Sequence, residues 1–77
     1  MKIMMYPNPA STNLFISVDK LAKQAMLEIT GINGQFFRAQ PLTKPVQEIS
    51  LQGLPNGVYF IKVSNGIHIN TKKIIKQ

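Results

Sequence analysis

The chain has 77 residues, 44% of them hydrophobic, no cysteine, and nine Lys and Arg against three Asp and Glu, for a net charge of +6. That length allows one domain at most, and a chain so short hides only about 60% of its unfolded surface, so its core is thin. Zero cysteine excludes a disulfide framework and a thiolate metal site, leaving packing and sheet hydrogen bonds to hold the fold.

A cysteine-free chain suits a reducing or an oxidising compartment equally. The basic balance invites a polyanion-binding reading, but Lys20, Lys23, Arg38, Lys44 and Lys62 are dispersed and only Lys72, Lys73 and Lys76 cluster. Dispersal of this kind favours a solvated surface. No apolar run reaches the roughly 20 residues that span a bilayer, and Met1 to Tyr6 lacks the length and cleavage pattern of a signal peptide. If the domain acts outside the cytoplasm, its leader lies elsewhere, which predicts that these residues are the tail of a longer precursor.

Lys2 to Tyr6 is apolar and runs into Pro7-Asn8-Pro9, where two prolines remove two backbone donors and end the strand. This predicts an edge strand followed by a rigid turn and loop. From Asn13 the pattern alternates, with Leu14, Ile16 and Val18 on one face and Phe15, Ser17 and Asp19 on the other, which reads as a half-buried strand. Leu21 to Gln24 is a polar connection, after which Leu27 and Ile29 share a face until Gly31 and Asn33-Gly34 mark a turn. Gln35 to Gln40 is the returning arm, with one of Phe36 and Phe37 in the core and one on the opposite face, and Pro41 stops it. The imperfect alternation from Val46 to Leu51 predicts a bulge or register change near Glu48, and Leu54 is an inward plug before the next turn.

Leu54 to Ile75 carries the strongest hairpin signal: a Pro-Asn-Gly turn, an apolar strand, Asn65-Gly66 and a Lys-rich closing strand. A strict two-residue turn would set Val63 opposite His68 and Tyr59 opposite Lys72, mixing apolar with polar. A loop of Asn65, Gly66 and Ile67 sets Val63 opposite Ile69, Ile61 opposite Thr71 and Tyr59 opposite Lys73. Register follows the hydrophobic match, so the longer loop is expected, with Tyr59, Ile61, Val63 and Ile69 facing the core. In all, about seven short strands at roughly 8- to 12-residue spacing predict an antiparallel sandwich or small barrel with almost no helix.

Catalytic patterns are missing. Asp19, Glu28 and Glu48 do not pair for general acid/base work, and His68 has no Cys and few carboxylates with which to share a metal. The serines sit in no nucleophile elbow and the glycines in no phosphate loop. The methionines read as core fillers. Phe36-Phe37-Arg38 and Tyr59-Phe60 with Lys62 offer stacking for a nucleic acid, but a small sandwich needs those rings for its core.

Tyr6-Pro7-Asn8-Pro9-Ala10, the central Asn33-Gly34-Gln35 turn, and the ending from Leu54 through Asn65-Gly66 to Thr71-Lys72-Lys73-Ile74-Ile75-Lys76 together form a known pattern. It resembles the type A C-terminal sorting domain of the type IX (Por) secretion system of Bacteroidetes, over nearly the whole chain. The resemblance implies a seven-stranded immunoglobulin-like sandwich at the end of a secreted cargo protein. Such a domain has no catalysis or cofactor of its own. It is read by the outer-membrane translocon after Sec export into the periplasm, and commonly removed by a sortase-like peptidase that attaches the cargo to anionic lipopolysaccharide at the cell surface. By position the tail motif falls on Gly57, Val58 and Tyr59 and on Lys73, Ile74 and Ile75, the first motif on Pro7, Asn8 and Pro9, and the central glycine on Gly34. Gly31 departs from the polar residue more usual there. Gly57, Tyr59, Lys72, Lys73 and Lys76 are the expected recognition residues, the lysines meeting an acidic receptor; the equal alternative is that Lys73 snorkels over the sandwich and Gly57 serves the turn, so that folding alone accounts for both. A carbohydrate- or protein-binding sandwich appended to an enzyme or adhesin is the competing class, and a basic nucleic-acid binder the third.

Overall fold

The computed structural model describes residues 2–20, 24–65 and 67–77. Alternating apolar residues broken by Pro, Asn and Gly give seven strands: β1 (Ile3–Tyr6), β2 (Asn13–Val18), β3 (Met26–Gly31), β4 (Phe36–Pro41), β5 (Val46–Ser50), β6 (Gly57–Ser64) and β7 (Ile69–Lys76). The described residues contain no helix. The strands form two antiparallel sheets, a three-stranded one ordered β1-β2-β5 and a four-stranded one ordered β4-β3-β6-β7. This is the expected immunoglobulin-like sandwich, with the fourth strand on the second sheet. The connection expected at Leu21 to Gln24 lies at residues 21–23 outside the described residues, as does Gly66.

Between the sheets the period-2 pattern puts Leu14, Ile16 and Val18 against Leu27, Ile29, Ile61 and Val63, with Ile49, Leu51, Leu54, Tyr59 and Ile74 completing one apolar core. No polar or charged residue among those described is buried. Phe37 packs on the core while Phe36 is 59% exposed, the division expected of the pair.

Two devices close the sides of the sandwich. On one, Ala10 pairs in parallel with Lys76, joining the loop after β1 to the last strand. On the other, the Arg38 guanidinium reaches across from β4 and donates to the carbonyl oxygens of Ser50 and Gln52 at the end of β5. Charge-assisted bonds of this kind are about twice as strong as neutral ones.

Two expectations are corrected. The β2–β5 register runs unbroken from Asn13 opposite Ser50 to Ser17 opposite Val46, so there is no irregularity at Glu48. Gln47 takes an inward position opposite Ile16, accepting the Thr43 N–H at 2.9 Å and donating to the Pro41 carbonyl, so a polar residue stands in an apolar slot at the rim. The bulge falls instead in β4, where the register shifts between Arg38 opposite Ile29 and Phe36 opposite Thr30. That shift turns Phe37 toward the core.

The second correction concerns the terminal hairpin. The loop is longer than two residues, as expected, but by one residue more than predicted: Ser64 faces Ile69, Val63 faces Asn70, Ile61 faces Lys72 and Tyr59 faces Ile74. Ile69 is therefore 66% exposed on the outer face, and Ile74, 1% exposed, takes the core place opposite Tyr59. The Asn65 side chain fixes this loop, its Oδ1 accepting the N–H groups of Ile67 (3.1 Å) and His68 (2.8 Å) while the Asn65 N–H donates to the His68 carbonyl. An Asx turn thus competed with the shorter loop and won.

Candidate recognition site on the terminal hairpin

The motif residues meet at one end of the sandwich. Gly57 opens β6 opposite Lys76, with φ at +154°, a backbone conformation that side chains resist. Tyr59 follows on the inward face, 4% exposed. Its hydroxyl donates to the Pro55 carbonyl, and its ring meets Phe37 edge-on at 5.3 Å. A tyrosine early in this strand, bonded back to the backbone just upstream, is the tyrosine corner of immunoglobulin-like sandwiches. Tyr59 therefore anchors the turn.

The central turn borders the same end. Gly34 has φ at +85° and donates its N–H to the Gly31 carbonyl, while Asn33 Oδ1 accepts the Gln35 N–H. Gly31 serves closeness instead: a Cβ there would lie 3.0 Å from the Phe37 ring edge and 3.3 Å from Asn33 Oδ1. A polar side chain at this position would push Phe37 away from Tyr59. The turn and the segment Pro55 to Tyr59 flank a shallow cleft of about 300 Å³.

Asn8 ties the first motif to the last. Its Oδ1 accepts the Ile75 N–H at 3.0 Å and its Nδ2 donates to the Lys73 carbonyl at 3.3 Å. Ala10 continues the pairing, donating to the Ile75 carbonyl at 2.7 Å and accepting the Gln77 N–H at 2.8 Å. Asn8 thus acts as a stand-in for a backbone amide on the outer edge of β7. It needs to, because Pro7 and Pro9 on either side have no N–H to offer. Both the Tyr6–Pro7 and Asn8–Pro9 peptide bonds are cis.

The lysines differ from one another. Lys76 is half-buried and donates to Asn56 Oδ1 at 3.3 Å, serving the turn. Lys72 and Lys73 are exposed and, as consecutive strand residues, stand on opposite faces of β7. Lys62, one strand away, is paired with Glu28 at 3.2 Å. Of the five residues expected to be recognised, the structure leaves Lys72 and Lys73 as exposed cations and gives Gly57, Tyr59 and Lys76 contacts within the fold.

The clamp role of Asn8 and the cross-sheet reach of Arg38 were not read from the sequence. The signal for Asn8 was present: an amide side chain between two prolines is the hydrogen-bonding group that stretch retains. Among the described residues no cluster of three His, Cys, Asp or Glu could hold a metal ion, and no helix is long and apolar enough to cross a membrane.

A family model described as the secretion system C-terminal sorting domain matches residues 4–77. The chain belongs to that family. The resemblance carried by the three turn motifs is thereby shown, and the chain is a secretion signal domain. The sorting domain is also 32% identical over 72 residues to beta-agarase A of Zobellia galactanivorans, a match covering 94% of this chain and 13% of the agarase. It therefore corresponds to a small part of that relative's length.

Proposed function

We propose that this sorting domain directs a cargo joined ahead of it across the outer membrane by the type IX secretion route. The cargo crosses the inner membrane by Sec export, passes through the periplasm, and is released or held at the cell surface. The translocon reads the folded sandwich, and a sortase-like peptidase removes it. The domain itself contributes an address and no catalysis.

The observation that carries this reading is the family match across residues 4–77. The structure supports a division of labour within it: Asn8, Gly57, Tyr59 and Lys76 hold the motif end together, while Lys72 and Lys73 stay exposed on the last strand. An acidic receptor surface would meet these two lysines. Fusing residues 1–77 behind a periplasm-targeted reporter in a Bacteroidetes host tests the reading. The reporter should appear outside the cell; a folded fusion retained in the periplasm would sink the proposal.

A further inference from the structure

β7 is the edge strand of the four-stranded sheet, and only part of its edge is covered. In an antiparallel ladder alternate residues turn their N–H and C=O groups to the same side. The bonds to Asn8 and Ala10 identify that outer side as the one carrying Lys73, Ile75 and Gln77, and by alternation also Thr71 and Ile69. Asn8 ends the cover at the Lys73 carbonyl. Among the described residues, the N–H and C=O of Ile69 and of Thr71 and the N–H of Lys73 have no hydrogen-bond partner. Ile69, Thr71, Lys72 and Lys73 are all exposed, so water reaches this row.

We propose that this open half of β7, Ile69 to Lys73, accepts an extended acidic segment of the export machinery as an added strand. The proposal rests on the sorting reading for the identity of the partner and on the edge geometry for the mode of binding. An unpaired row of alternating donors and acceptors is a ready template for strand addition, with main-chain bonds giving affinity and alternate side chains giving specificity. Here the side chains specify charge. Lys72, opposite Ile61, lies on the inward face and Lys73, opposite Phe60, on the outer face, so an added strand meets a cation on each side. Adjacent acids on the incoming strand satisfy both, and an apolar residue covers Ile69. A second copy of this chain fits poorly, because it would bring its own Lys72 and Lys73 to a chain already at +6. Lys72, an inward-pointing charge on an edge, guards against that pairing. Asn8 sets where the added strand must stop.

The test uses the 77-residue chain and a short synthetic peptide with two adjacent glutamates flanked by valine and threonine. In the free protein the amides of Ile69, Thr71 and Lys73 should exchange with solvent quickly, and saturating peptide should protect those three in particular. Thr71→Pro removes one outward N–H that the fold does not use, a position where an edge strand tolerates proline. It should weaken peptide binding about tenfold, and the double variant Lys72→Glu with Lys73→Glu, which leaves the backbone untouched should Thr71→Pro fold badly, by at least as much. Protection elsewhere, no protection at these amides, undiminished binding by the charge-reversed variant, or a dimer whose edge amides are already protected would overturn the proposal. The reporter fusion separates this from the sorting reading. If the unmodified fusion is exported and a folded Thr71→Pro fusion is exported equally, strand addition fails while sorting stands. If the unmodified fusion is not exported, sorting fails, and the peptide result alone decides whether the edge binds.

Discussion

Between Gly57 and Tyr59 on β6 and Ile74 and Lys76 on β7, the terminal hairpin is tied on every side: Ile74 into the core, Tyr59 to Pro55, Lys76 to Asn56, Ile75 to Asn8 and Ala10. Toward the Asn65 loop the same strand β7 has a partner on one side only, and its Ile69 faces solvent. One hairpin thus combines a half that the fold needs with a half that it leaves exposed. A motif read from sequence does not distinguish the two, because turn geometry, core packing and exposed charge lie within a few residues of each other.

The contrast is broken most severely at Ile74. Ile74→Ala should lower stability by about 2–5 kcal/mol through lost burial and the cavity left behind, whereas Ile69→Ala should change it by no more than about 0.5 kcal/mol. Comparing the two melting midpoints tests the register directly, and a larger loss at Ile69 than at Ile74 would restore the shorter loop. Next in size, Tyr59→Phe keeps the ring against Phe37 but removes the bond to Pro55, and denaturant unfolding should show a loss of about 0.5–1.5 kcal/mol. Asn8→Ala should destabilise by about 1 kcal/mol and speed amide exchange at Ile75 while leaving Lys72, which bonds toward β6, protected.

The smallest effect lies at the opposite end of the sandwich. Asp19 accepts the Lys2 N–H at 2.7 Å, and that bond holds its carboxyl below the usual aspartate range. A carboxyl whose folded pKa is depressed adds stability above its unfolded value, about 3.9, and loses it as pH falls through the folded value. Asp19→Ala should therefore melt slightly below the unmodified chain at neutral pH, and the gap should close in acid. Because Asp19 is fully exposed, the gap is small.

Much of this fold was legible in the sequence. Strict alternation at Leu14, Ile16 and Val18 and at Leu27 and Ile29, punctuated by Pro, Asn and Gly, leaves little freedom in which face is buried. The register of β7 was not legible, because its deciding contacts are non-local or lie inside a loop. Ile69 and Ile74 both offer an apolar match to β6, and the choice is made by the Asn65 side chain and by the burial of Ile74 opposite Tyr59. Gln47 misled in the same way, since an inward polar residue is acceptable only where the rim supplies Thr43 and Pro41 as partners. The motif signalled the site, while its division into clamp and open edge required knowing that Asn8 lies beside Lys73 and Ile75.

We propose that residues holding the fold and residues read by a partner occupy different halves of one hairpin. The most direct test of this division measures export and melting together for a reporter fusion carrying Lys72→Glu and Lys73→Glu. Export lost with an unchanged melting transition is the predicted result. Export retained, or lost only in step with a lowered melting transition, would contradict it.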